Sequence, residues 1–95
     1  MRVRVRYFTT LRELARTREE ELELKTRSSL AELIEKVSSK YGEEAFNYLH
    51  VKESGRIDPS IQFLVNGTAA HNLQGLETEL NEGDVVAIIP PIGGG

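Results

Sequence analysis

Polar and apolar residues alternate strictly from Arg2 to Tyr7, with Arg2, Arg4 and Arg6 on one side and Val3, Val5 and Tyr7 on the other. A period of two in β-branched and aromatic residues predicts a half-buried strand. Phe8 joins the apolar set as that strand ends. The alternation returns over 19–25, where Leu22 and Leu24 face in and Glu21, Glu23 and Lys25 face out. Between the two, Thr10-Leu11-Arg12-Glu13 has the form of a capping box. Leu11, Leu14 and Ala15 follow at helical spacing, which predicts a short helix ending near Thr17.

The period becomes helical again at Ser29-Leu30-Ala31-Glu32, a second capping box. Leu30, Leu33, Ile34, Val37 and Tyr41 form a single apolar stripe, so this main helix is expected to cover one face of one sheet. Gly42 is expected to close it in the left-handed conformation. Ala45, Phe46 and Leu49 predict a further short helical turn. Residues 51–59 are polar and turn-rich, with Asp58-Pro59 breaking any helix. Ile61–Val65 is a predicted strand, and Asn66-Gly67 is a two-residue hairpin signal leading into a return strand over Thr68–His71. Asn72–Leu80 is read as a surface loop with one turn around Leu76, and 81–84 as a turn. The last strand, Val85–Ile89, is apolar at every position, which implies burial on both faces or a partner surface on one.

These elements predict a two-layer α+β fold, a mixed sheet with one main helix on one face. The first and last strands both look central, and a parallel pairing of the two is allowed across the long connection. The expected division is a domain over 1–89 and an extended tail over 90–95.

With 95 residues the chain is the size of one domain. A net charge of -3 gives no bulk electrostatic case for nucleic acid. The arginine stripe of the first strand is expected to lie beside the glutamates of the second and to be neutralised by them. There is no cysteine, which removes disulfides, thiolate nucleophiles and the usual zinc sites and fits a cytoplasmic protein. The N-terminus has no signal-peptide h-region, and Val85–Ile89 is far too short to span a bilayer, so no membrane partner is expected. His50 and His71 have no metal-ligand spacing and are read as surface or strand-end residues. No nucleophile stands beside a base, and no bound cofactor or metal is expected. As a stand-alone catalyst the chain offers little.

The chemistry lies in Pro90-Pro91-Ile92-Gly93-Gly94-Gly95. The prolines lack a backbone donor and fix φ, so they end the sheet and impose a stiff, extended exit. Six extended residues reach roughly 20 Å. Gly94 and Gly95 present only backbone and can thread a narrow channel. The α-carboxylate of Gly95 is expected to be the working group. It becomes an acyl donor once it attacks the α-phosphate of ATP and forms an acyl-adenylate. Only partner enzymes need catalytic residues for that step.

In this tail, in Tyr7-Phe8, in Leu11-Arg12-Glu13-Leu14 and in Val65-Asn66-Gly67, the sequence resembles the MoaD/ThiS-type ubiquitin-like sulfur carriers. The resemblance covers essentially the whole order of elements and is closest to the small subunit of molybdopterin synthase. It implies a ubiquitin-like β-grasp fold. It implies that a ubiquitin-activating-type enzyme, MoeB-like, adenylates Gly95 with ATP and that a sulfur donor then yields a C-terminal 1-thioglycine. The tail would deliver that sulfur to a pterin precursor inside a MoaE-like large subunit, building the dithiolene that binds molybdenum or tungsten. The carrier would be a monomer alone and a heterotetramer with the large subunit. The resemblance places Phe8, Arg12, Ile89, Pro90, Pro91, Ile92, Gly93 and Gly94 against partners. Gly93 departs from the family, which usually has Ala, Ser or Thr there, and the connection around His50–Pro59 is longer than in compact members. Two other readings use the same tail: a protein modifier joined to lysines through Gly95, and a carrier for thiamine or tRNA thiolation.

Overall fold

The computed structural model describes residues 1–91. Strand β1 (Arg2–Arg6) is followed by helix α1 (Thr9–Ala15), strand β2 (Glu19–Glu23), helices α2 (Leu30–Tyr41) and α3 (Glu43–Leu49), and strands β3 (Gln62–Val65), β4 (Thr68–Ala69) and β5 (Val85–Ile89). The sheet order is β2-β1-β5-β3-β4. β1 and β5 are the parallel central pair, and every other pairing is antiparallel. This is the predicted β-grasp arrangement.

The core follows from the two periods. Val3 and Val5 of β1 with Tyr7 just beyond it, Val86 and Ile88 of β5, and Phe63 and Val65 of β3 all turn to one face and are buried there. Leu30, Leu33, Ile34 and Val37 of α2 cover them. Burying each such side chain stabilises the fold by about 1.5–3 kcal/mol. Both halves of the capping box that starts α2 are made: Ser29 Oγ accepts from the Glu32 N–H, and the Glu32 carboxylate accepts from the Ser29 N–H, each at 3.2 Å.

Several local expectations are corrected. No box forms at Thr10–Glu13; α1 starts one residue earlier, with Phe8 in the N-cap position and no side-chain cap. Phe8 is still extended when the chain turns sharply at Thr9, φ 44, so no hydroxyl is left in position to cap. Gly42 does take positive φ, but at φ 84, ψ -165 it is a hinge between α2 and α3, not a left-handed cap. Only glycine enters that region readily. The return strand is shorter than expected, and His71 falls in a 3-10 turn over Ala70–Asn72. The 72–80 loop is anchored at its end: Leu80 is buried and its N–H donates to the Ser28 carbonyl at 2.9 Å. Leu76, in the 3-10 turn over Gly75–Glu77, stays exposed.

His50 is not a surface residue. Its ring is buried, stacked on Phe46 at 3.9 Å, with Nδ1 2.8 Å from the Phe46 carbonyl and Nε2 3.0 Å from the Glu35 carboxylate. It pairs with Ile57 as an isolated bridge, so the strand-end half of the expectation describes its backbone.

A second unanticipated cluster closes the end of β1. Glu20 accepts from Tyr7 Oη at 2.5 Å, from Tyr41 Oη and from Lys40 Nζ at 2.6 Å. Burial opposes ionisation of Glu20, but the three hydrogen bonds together outweigh it and hold its carboxyl below the usual range. Burial, reinforced by Glu20, pushes the Tyr7 hydroxyl far up. A carboxylate whose folded pKa is depressed contributes stability above its unfolded pKa of about 4.3 and loses it as pH falls through the lower folded value. Glu20→Gln is therefore expected to cost about 1–2 kcal/mol near neutral pH, with two tyrosine hydroxyls left imperfectly paired. The gap to wild type should narrow below about pH 4, as the wild-type carboxylate takes up its proton. Urea melts across pH check this, and a gap that is constant down to pH 2 contradicts it.

Candidate functional site at the end of the last strand

The site is built on β5, and its position follows from the pairing. Arg4, Val5 and Arg6 lie opposite Val85, Val86 and Ala87, while Gln62, Phe63, Leu64 and Val65 lie opposite Ile89, Ile88, Ala87 and Val86. The launch of the strand is fixed by the Asn66-Gly67 hairpin, whose φ values of 52 and 84 are those of a type I′ turn. Asn66 also clamps the incoming chain: its Nδ2 donates to Asp84 Oδ1 and its Oδ1 accepts from the Val85 N–H, both at 2.9 Å.

The all-apolar run of β5 is explained by its two faces. Val86 and Ile88 are buried under α2, whereas Val85, Ala87 and Ile89 are only half-buried and look out from the opposite, helix-free face. Leu64, opposite Ala87, is half-buried on the same side. Full burial on both faces, one of the two alternatives read from the sequence, is not found: one face is buried and one apolar stripe is left open.

On the other side of that stripe runs the arginine row. Arg4 pairs with Glu19 at 2.7 Å and Glu21 at 3.0 Å, Arg2 with Glu23 at 3.4 Å, and Arg6 approaches Glu19 at 3.9 Å. The antiparallel register sets these charges side by side, as expected. Exposed pairs of this kind contribute about 0–1 kcal/mol each, so their main effect is to neutralise the face.

The chain leaves β5 through Pro90 and Pro91, both half-buried. Phe8 and Ile89 each lie two residues beyond the paired Arg6 and Ala87, so β1 and β5 deliver them to the same end of the sheet. Arg12 returns there from α1: its guanidinium lies 5.6 Å from the centre of the Phe8 ring and its Nε donates to the Tyr7 carbonyl at 3.4 Å. Phe8, Arg12, Ile89, Pro90 and Pro91 thus gather at one end. Ile92, Gly93, Gly94 and Gly95 lie outside the described residues. Leu64 was not singled out in the sequence; its place on the open face follows from the antiparallel pairing of β3 with β5, which the sequence does not signal.

A cleft of about 490 Å³ lies elsewhere, between the 51–59 connection and the 3-10 turns, lined by Ile57, Phe63, His71 and Leu76 among others. No predicted site residue lines it. No helix among the described residues is long and apolar enough to cross a membrane.

Known proteins agree with this architecture. The ThiS family profile matches residues 5–95. The chain is 26% identical over 95 residues to small archaeal modifier protein 3 of Haloferax volcanii, covering all of both chains. The solution structure of small archaeal modifier protein 1 from Methanosarcina acetivorans superposes with a TM-score of 0.82 at 31% identity, covering 99% of this chain and 96% of that one. A Pyrococcus furiosus protein named as a candidate molybdopterin converting factor, subunit 1, superposes with a TM-score of 0.71 at 29% identity, covering 96% and 98%. With the profile spanning nearly the whole sequence and the β-grasp sheet in place, this chain belongs to the ThiS family of ubiquitin-like sulfur carriers.

Proposed function

We propose that the protein carries sulfur on the α-carboxylate of Gly95 as the small subunit of a molybdopterin synthase. The observation that carries this reading is the central β5, which runs from a buried face and an open apolar stripe straight into Pro90 and Pro91. A strand held on both sides is a rigid base for a reaching tail. The Gly95 carboxylate attacks the α-phosphorus of ATP, pyrophosphate leaves, and an acyl-adenylate forms. A hydrosulfide ion then attacks the acyl carbon, AMP leaves, the sulfur gives up its proton, and the product is a thiocarboxylate. The adenylating enzyme supplies the catalytic residues for both displacements. Val85, Ala87 and Ile89 with Leu64 supply the apolar surface on which that enzyme and a large synthase subunit would take turns to dock. The Pyrococcus relative supports the molybdopterin assignment by its name.

The two archaeal relatives named as modifiers support a second reading with the same adenylate, in which the ε-amine of a lysine displaces AMP and leaves an isopeptide bond. One experiment separates the two. The loaded chain is offered a large synthase subunit with pterin precursor, and separately a cell extract. Dithiolene product in the first supports the carrier. Lysines bearing the C-terminal segment in the second support the modifier. Arg56 is the last tryptic site, so digestion after Glu82 is the practical choice; it leaves the short 83–95 segment on each modified lysine.

A further inference from the structure

The end of the sheet from which the tail departs is basic, although the whole chain carries a net charge of -3. Between 7 and 18 the basic residues are Arg12, Arg16 and Arg18, and Glu13 is the one acid. Unlike the arginines of β1, these three make no ion pair among the described residues. Arg16 and Arg18 are exposed. The Arg18 backbone is pinned at this end of the sheet through Tyr7, the residue after the Arg6–Ala87 pair, and Arg16 lies two residues before it in the chain. The Tyr7 N–H donates to the Arg18 carbonyl at 2.8 Å, and the Tyr7 carbonyl accepts from Arg12.

The backbone gives an independent sign. Arg16 ends α1 in the left-handed region at φ 60, ψ 29, where glycine carries no steric cost and arginine does. The helix is entered through Thr9 at φ 44, a rare conformation for a β-branched residue. Strained positions of this kind cluster where a side chain or a fixed geometry is used. A glycine at 16 would relieve the backbone, and the one thing it removes is the Arg16 guanidinium.

We infer that Arg16 and Arg18, together with Arg12, form a basic collar that docks on an acidic surface of the enzyme that activates the tail. The inference rests on the reading of Gly95 given above. Opposed charges at the rim of an interface speed encounter and fix orientation, which a tail entering a narrow channel needs. A protein surface fits the collar better than a nucleic acid does. Single-stranded nucleic acids want free aromatic platforms, and the Phe8 ring at the tail exit lies beneath the Arg12 guanidinium.

The test uses the adenylating enzyme of the same organism and the double variant Arg16→Gly/Arg18→Gln. Calorimetry measures binding of a chain ending at Gly93, so docking is read without the chemistry. The double variant should bind roughly tenfold more weakly at low salt, with the difference collapsing above about 0.5 M salt, where charges are screened within a few ångström. Its melting temperature should equal or exceed that of wild type, because the strain at 16 is gone. Equal affinities, or no binding of the wild-type chain, overturn the collar. Salt-sensitive binding of transfer RNA that the double variant loses, with enzyme binding unchanged, also overturns it. Normal docking of the full chain without ATP–pyrophosphate exchange leaves the collar standing and rejects the reading of Gly95 instead.

Discussion

Removing Gly94 and Gly95 abolishes sulfur transfer and lysine conjugation alike, with no turnover above background, and leaves the melting temperature within about 2 °C of wild type. The two halves of this expected result have separate causes. The chemistry needs a carboxylate at the tip of a backbone thin enough to enter the activating site, and a chain ending at Gly93 presents its carboxylate two residues short. The stability needs only the buried face, whose last contributor is Ile88. A truncated chain that still accepts AMP from ATP would move the working group away from the tip.

Ile88→Ala produces the opposite pattern. Ile88 is 1% exposed, between the sheet and α2, on the strand that delivers the tail. Deleting three buried carbons from a packed core costs about 2–5 kcal/mol, the transfer term plus the cavity left behind. For a domain of this size that lowers the melting temperature by roughly 15 °C. Below that midpoint the folded fraction still presents Pro90 and Pro91 from the same register, so the rate of adenylation per folded molecule should match wild type. Thermal melts and ATP–pyrophosphate exchange at two temperatures measure both quantities. A large loss of rate at full folding would mean that β5 does more than hold the tail.

The contrast between these variants reflects how the information is distributed along the chain. The sheet was legible because Val3, Val5 and Tyr7 repeat at two and Leu30, Leu33, Ile34 and Val37 at helical spacing, patterns that no other arrangement buries as well. The neutralised arginine row was legible because strand pairing puts like-spaced opposite charges together. The Glu20 cluster was not, since alternation turns Glu20 inward while saying nothing of Tyr41, Lys40 and Tyr7 arriving from other elements to satisfy it. His50 failed for the same reason: its burial depends on Glu35 and Phe46 across a helix junction set by Gly42. Thr10 looked like a cap because its spacing to Glu13 is right, and the sharp turn at Thr9 overrode that local preference.

For the site, the sequence pointed to Pro90-Pro91-Ile92-Gly93-Gly94-Gly95, of which the structure places Pro90 and Pro91 directly after β5. What it left open was which side of β5 stays uncovered, and the register with β3 and β1 leaves Val85, Ala87, Ile89 and Leu64 on the helix-free face. Arg16 and Arg18 carried no signal in one dimension. Their significance appears only with the left-handed backbone at 16 and the Tyr7–Arg18 hydrogen bond beside the strand end.

The most direct measurement is fragmentation of the C-terminal peptide after incubation with ATP, a ubiquitin-activating-type enzyme and a sulfur donor. The peptide is preferable to intact mass, because oxidation of Met1 shifts the mass of the whole chain almost as replacement of oxygen by sulfur does. One oxygen should be exchanged for sulfur, located on Gly95 and absent when ATP is withheld. An unmodified Gly95 under conditions in which the enzyme loads another carrier contradicts it.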